Sequence, residues 1–393
     1  MSRLRNTIFY VLVSIIMSLL TINRMEATIG ISDGRNNLTL LFGLVFILLL
    51  IVFFNREDDV SKELKTLSIL FLLSSVPSLL FSSTNVDVLY GLISVIFVPL
   101  GIIIGKYFCK KWWVSDNTDL VLLLIMLPAV VGCVWIVVMS NTIGMFHLGR
   151  DYVFSVVIFL PLVYFIRSPY LKFGIFALIL YVVILSAKRT ALIVFCSSLI
   201  IYIYAGVRKF GAFKINIKAL FSVLIISLSL IFVVQFFFLG SAKESLESTI
   251  ERMSNMDDDS NKERENIYTK VINEIENSSI SSIVFGHGYN GVSRDLFGHP
   301  AHNDYLEITY DYGLLSVFLY ILIFISLLFS YRKNRIRLCD NPYIMIVFLT
   351  IVMMNGANCF ITNPTYVYVC MFCIGWVLEF TRLKIIYDVK KLS

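Results

Sequence analysis

Charge is scarce in this chain. Asp, Glu, Lys and Arg make up 15% of its 393 residues, while hydrophobic residues make up 58% and aromatics 14%, and the mean hydropathy is +0.82. An ordinary soluble domain carries roughly a quarter charged residues, so that class is excluded and a bilayer is the expected solvent. Cysteine is missing where it would matter. The seven cysteines are Cys109, Cys133, Cys196, Cys339, Cys359, Cys370 and Cys373, and none falls in Gly240 to Tyr312, the one polar stretch long enough to fold by itself. That excludes a disulfide framework or a thiolate metal site there. Cys370 and Cys373 have redox-motif spacing but lie in an apolar run, where cysteine serves as a small hydrophobe. The basic start Met1 to Arg5 and the apolar run after it resemble a signal peptide, yet no small-x-small cleavage site follows. The run is therefore expected to remain as a first span. The apolar runs hold almost no charge and the two halves show no convincing internal repeat, which argues against a transporter or flippase.

What is present is a succession of apolar runs of spanning length. They are Thr7 to Ile22, Leu38 to Phe54, Leu67 to Phe81, Val88 to Gly105, Leu120 to Ser140, Tyr152 to Ile166, Phe173 to Ser186, Thr190 to Ala205, Leu220 to Leu239, Leu314 to Ser330, Tyr343 to Phe360 and Thr365 to Phe380. The expected fold is an all-α polytopic membrane protein of about twelve transmembrane helices. Residues 1–239 form the first nine, 240–312 an extracytoplasmic loop, and 313–393 the last three with a tail.

Orientation follows from the basic residues. With both termini cytoplasmic, the inner segments hold Arg3 and Arg5; Arg56, Lys62 and Lys65; Lys106, Lys110 and Lys111; Arg167 and Lys172; Arg208, Lys209, Lys214 and Lys218; Arg332, Lys333, Arg335 and Arg337; and Arg382, Lys384, Lys390 and Lys391, which is 22 of 33. This satisfies the positive-inside rule. The stretch from Phe173 to Ala205 is too long for one crossing, and reading it as one would put Arg208 to Lys218 outside. It is therefore two helices, with Lys188 and Arg189 turning at the outer face. The external segment carries six basic and fourteen acidic residues. Any anion it binds must be gripped by a few placed arginines rather than by a general basic surface.

Within that segment, Ser260-Asn261-Lys262-Glu263 has the form of a capping box, and Ile267, Tyr268, Val271, Ile272 and Ile275 make an apolar stripe on the helix it opens. Arg264 falls on that stripe one turn earlier. A charge there needs a partner, or else snorkels at the helix start. Three of the four histidines, His287, His299 and His302, follow closely, and histidine is the side chain best suited to move a proton near neutral pH. Asn303 reads as the cap of a short helix that places His302, Tyr305, Leu306 and Thr309 on one side, with Gly313 able to end it. No His-Glu-x-x-His or cysteine pair accompanies these histidines, so no metal is expected, and Asp257 to Asp259 read as a solvated charge run.

Taken together, Ser186-Ala187-Lys188-Arg189, Asn261-Lys262-Glu263-Arg264, Phe285-Gly286-His287-Gly288, His302-Asn303-Asp304-Tyr305-Leu306-Glu307 and Asp311-Tyr312-Gly313 resemble, in order and placement, the core of the O-antigen polymerase (Wzy) and O-antigen ligase family. The resemblance spans about Phe173 to Ser330. It implies a GT-C-like membrane glycosyltransferase of the inner membrane, with its active site outside and a glycan on undecaprenyl pyrophosphate as donor. By the same resemblance His302 is the general base or acceptor-orienting residue, and Arg189 and Arg264 bind the pyrophosphate. Arg150, in Gly149-Arg150-Asp151, is a third candidate, and Asn303, Tyr305 and Glu307 are supporting residues. His287 stands where related chains more often carry a small or apolar residue, and receives no role. No cofactor and no nucleic-acid partner is implied; membrane lipid and a chain-length regulator are. The His302 to Gly313 stretch resembles the polymerase form, with the ligase as the alternative. The chemistry is coherent in its own right: a sugar hydroxyl attacking an anomeric carbon must lose its proton, and the departing pyrophosphate needs fixed positive charge, which arginine forks supply without a metal.

Overall fold

A computed structural model describes residues 62–113, 119–120, 122–126, 129–132, 153–186, 188–210, 259–298, 300–333, 342–357 and 364–392. Every regular element among them is helical. In chain order they are α1 (Lys62–Leu79), α2 (Asn85–Trp113), α3 (Val153–Val157), α4 (Leu160–Val163), α5 (Pro169–Ser186), α6 (Arg189–Phe210), α7 (Asp259–Asn277), α8 (Ile280–Phe285), a π-helical turn (Val292–Phe297), α9 (Asp304–Lys333), α10 (Pro342–Ala357) and α11 (Pro364–Leu392). Three described helices are long and apolar enough to cross a membrane, over Asn85–Lys110, Asp304–Leu327 and Tyr366–Leu383. The expected spans Thr7 to Ile22, Leu38 to Phe54 and Leu220 to Leu239 lie outside the described residues.

The α2–α11 pair forms the centre of the bundle. Gly101 and Gly105 stand four apart on α2, and Gly375 faces them from α11. A Cβ at Gly105 would run into the carbonyl oxygen of Phe372, and one at Gly375 into that of Ile102. With no hydrophobic drive between helices in lipid, small residues that let backbones touch are what hold such a pair together. Rings close the seam on either side, with Phe97 against Tyr368 at 5.2 Å and Phe108 against Trp376 at 5.2 Å between centroids. At one end, buried Glu379 pairs with Arg382 at 2.6 Å. A second seam joins α1 to α9 through buried hydroxyls, with Ser74 Oγ 3.0 Å and Ser75 Oγ 3.3 Å from Ser316 Oγ. Other apolar side chains of these helices, among them Leu73, Val76, Phe318 and Ile321, stay exposed, as side chains facing lipid do.

Two expectations are met and two are corrected. The stretch after Phe173 is two helices, α5 and α6, broken between Ser186 and Arg189. Amphipathic α7 is present from Asp259 to Asn277, so Ser260 lies within it rather than ahead of it as its cap. The run from Tyr152 to Ile166 is not one helix. It breaks after Val157 and resumes at Leu160, because Pro161 has no N–H to give the carbonyl of Val157 and its ring crowds that turn.

Candidate functional site

The site is built around a break in α9. Its first turns run from Asp304 to Tyr312, and Gly313 then leaves helical geometry at φ 84, ψ 168 before the apolar span begins. That break withdraws the N–H partners of the Tyr310 and Asp311 carbonyls. The Phe285-Gly286-His287-Gly288 segment replaces them: the backbone N–H of His287 donates to Tyr310 O at 2.9 Å and that of Gly288 to Asp311 O at 3.0 Å. Gly286 (φ 81, ψ −174) and Gly313 occupy backbone regions open almost only to glycine. A Cβ at Gly286 would strike the Asp311 carbonyl, and one at Gly313 the Val284 carbonyl. Gly313→Ala and Gly286→Ala are each expected to destabilise the fold by at least the ~1–3 kcal/mol of such backbone strain. Thermal unfolding of the detergent-purified protein checks this, and an unchanged midpoint would refute the interlock.

The same loop docks on the turn between α1 and α2. Tyr289 N donates to Ser82 Oγ at 3.0 Å. Arg294, on the π-helical turn, donates to His287 O at 2.9 Å and to Phe81 O at 3.4 Å while holding Asp295 at 2.6 Å. The hydrogen bond to Asp295 raises the Arg294 pKa above the ordinary guanidinium value. The Asp311 carboxylate lies beneath, accepting the backbone N–H of Asn290 at 2.8 Å and of Val292 at 3.3 Å. The sequence names Asp311 only as part of a motif and assigns no role to it, to Arg294 or to the Ser82 turn. Asp311 did carry a signal, since Asp304, Glu307 and Asp311 recur at helical spacing, and all three are fully buried.

His302 precedes α9 in a left-handed conformation, φ 56. Asn303 caps the helix as expected, its Oδ1 accepting the N–H of Tyr305 at 3.0 Å and of Leu306 at 3.3 Å. Glu307 accepts the N–H of Ala301, the residue before His302. Half-buried Tyr305 reaches across to α10, where its hydroxyl bonds with Asn355. From the other side α7 closes in. Ile267 and Val271 are buried with Val292, Ala301 and Tyr310, and the Tyr268 hydroxyl approaches the His302 carbonyl at 3.5 Å. Ile272, expected on the same stripe, is exposed instead. Arg264 stands one turn before Tyr268 and is half-buried. Residues four apart on a helix are neighbours, so Arg264 falls on the flank of α7 that meets His302.

His287 belongs to the scaffold. Its ring stacks on Tyr310 at 4.2 Å, with Nδ1 3.2 Å from Tyr310 O and Nε2 3.1 Å from Ser278 Oγ. Arg189 is the first residue of α6, a helix packed on α10. Arg150 and His299 lie outside the described residues. Cys370 and Cys373 are free and buried, as the apolar reading expects. Among the described residues no three His, Cys, Asp or Glu side chains come together as a metal site would require.

Comparison with curated proteins and with solved structures gives no match. A family model described as O-antigen ligase matches residues 174–321. That stretch is well under half of the chain, but it contains Arg189, Arg264, His302, Asn303, Tyr305 and Glu307, together with the Gly286–Gly313 interlock. Over this segment the chain is similar to the O-antigen ligase family.

Proposed function

We propose that the protein polymerises oligosaccharide repeat units carried on undecaprenyl pyrophosphate, at the outer face of the inner membrane. The observation that carries this reading is the setting of His302. It is lodged in a left-handed turn at the cap of α9, under the face of α7 that also bears Arg264. His302 takes the proton of the acceptor hydroxyl as that oxygen attacks the anomeric carbon. Arg264 and Arg189, with Arg150 as a third, hold the pyrophosphate that leaves. Asn303, Tyr305 and Glu307 support His302. In this reading the chain crosses the membrane about twelve times in a GT-C-like arrangement, both termini are cytoplasmic, and residues 240–312 are the external catalytic loop.

The turns on which the site rests fit that topology. The α1–α2 turn, through Phe81 and Ser82, and the Asn355 end of α10 both fall outside if the N-terminus is inside, and both bond to the loop. Arg189 opens α6, which lies against α10, so an outer Lys188–Arg189 turn is on the same side. A chain-length regulator is a fitting partner for such a polymerase.

A second reading, transfer of the finished glycan to lipid A core, is favoured by the name of the matching family model. The deletion phenotype separates the two. Without the protein, surface glycan is expected to stop at one repeat unit on lipid A core, since ligation survives. Bare core with long polymer accumulating on its carrier would assign the ligase reaction instead and refute the polymerase.

A further inference from the structure

The carboxyl group of Glu307 is an odd thing to place where it is. Its side chain is completely buried, in the first turns of a helix that continues into an apolar span. One oxygen, Oε1, accepts the backbone N–H of Ala301. The other, Oε2, is buried with no hydrogen-bond partner among the described residues. Leaving a buried polar atom unmet is costly, of order 1–3 kcal/mol, and an apolar residue would remove that cost. A residue kept for packing alone would not need the carboxyl.

The bond to Ala301 shows what the carboxyl does. Glu307 reaches back over six residues to the backbone immediately before His302. The bonds on the far side of His302 run from Asn303: its Oδ1 takes the N–H of Tyr305 and Leu306, and its carbonyl takes the N–H of Glu307. His302 itself sits at φ 56, a conformation that non-glycine residues adopt only when their surroundings hold them there. The histidine backbone is therefore pinned on both sides, by Asn303 after it and by Glu307 before it. Tyr268 bonds the His302 carbonyl only at 3.5 Å, a weaker grip.

We infer that Glu307 is a positioning residue whose Oε1 holds Ala301 and so fixes the direction in which the His302 imidazole faces the acceptor. This rests on the reading of His302 as the base. The pin requires an acceptor oxygen at the right reach, not a negative charge, and that separates it from a role in binding or in charge stabilisation. Glutamine keeps the oxygen and the length; aspartate keeps the charge but falls one methylene short; alanine loses both.

The test uses full-length protein purified in detergent, with a lipid-linked repeat unit as donor, and compares Glu307→Gln, Glu307→Asp, Glu307→Ala and His302→Ala. Misplacing a catalytic group by ~1 Å can cost about 10²-fold, so Glu307→Ala and Glu307→Asp are expected to lose kcat on that order at unchanged donor KM, while Glu307→Gln stays within a few-fold of the parent. Amide hydrogen exchange over residues 299–303 gives a readout that needs no substrate. It is expected to quicken in the alanine and aspartate variants and to stay at the parent level in the glutamine variant. Full activity per folded molecule in Glu307→Ala, with His302→Ala inactive, would overturn the inference and leave the base assignment standing. A glutamine variant as impaired as alanine would overturn it too. Activity in His302→Ala would instead remove the reading on which the inference rests.

Discussion

Replacing His302 by alanine is expected to lower polymer formation per folded molecule by about 10²-fold or more, the usual loss when a general base is removed. The geometry makes this residue distinct from its neighbours. His302 follows Ala301, whose N–H is held by Glu307, and precedes the cap Asn303. Its backbone is set at φ 56, where the fold must hold it. His287 is also a histidine of the same loop, but both of its ring nitrogens are engaged within the scaffold, at Ser278 and at the Tyr310 carbonyl. His287→Ala is therefore expected to reduce the amount of folded protein while the molecules that fold keep most of their rate. His299→Ala should lose little of either. Activity normalised to folded protein distinguishes these outcomes. Full activity of His302→Ala, or abolition of parent activity by a chelator, would end the metal-free His302 mechanism.

Arginine-to-lysine exchange at positions 264 and 189 is expected to be nearly as damaging. Each guanidinium is assigned to a phosphate of the departing group, where a planar fork makes two parallel hydrogen bonds and an ammonium cannot. Losing one such charge-stabilising contact costs about 10²–10³-fold in kcat in comparable oxyanion sites. Arg264 is half-buried one turn before Tyr268, on the flank of α7 that meets the His302 turn. A purely structural arginine would behave otherwise: lysine would be tolerated, and alanine would lower the yield of protein in the membrane without slowing what remains. Measuring kcat and membrane abundance for Arg264→Lys, Arg264→Ala, Arg189→Lys and Arg189→Ala decides between the two.

Local chemistry carried much of this site in the sequence. Asn303 followed by a helical pattern announced the cap that Tyr305 and Leu306 complete. The apolar stripe of α7 placed Ile267, Val271 and Ile275 inward and put Arg264 beside them. Ile272 is exposed although Tyr268, one turn earlier on the same row, packs against the loop; the buried face centres on 267, 271 and 275, and its flank is covered only as far as Tyr268. The helix break between Ser186 and Arg189 was legible because length and charge both demanded two segments. Pro161 was visible too, and its effect on the run from Tyr152 to Ile166 follows from the missing N–H alone, yet hydropathy averages over it.

Other features exist only in three dimensions. The carbonyls freed at Gly313 find their donors in His287 and Gly288, some twenty residues upstream. The glycines announce unusual backbone but do not name each other as partners. Asp311 capping the π-helical turn and Arg294 reaching Phe81 depend on the same docking. The close α2–α11 contact was within reach, since Gly101 and Gly105 have the spacing by which membrane helices approach, but the facing Gly375 is known only from the packing.

The central claim is that this chain itself forms glycosidic bonds from a polyprenyl-pyrophosphate donor. The most direct measurement incubates the purified protein with undecaprenyl-pyrophosphate-linked repeat units, in chelator and with no other protein, and resolves the products by length. A ladder of two or more repeat units, formed by the parent and missing with His302→Ala, is the expected result. Folded parent protein that leaves the donor at a single repeat unit under these conditions would contradict it.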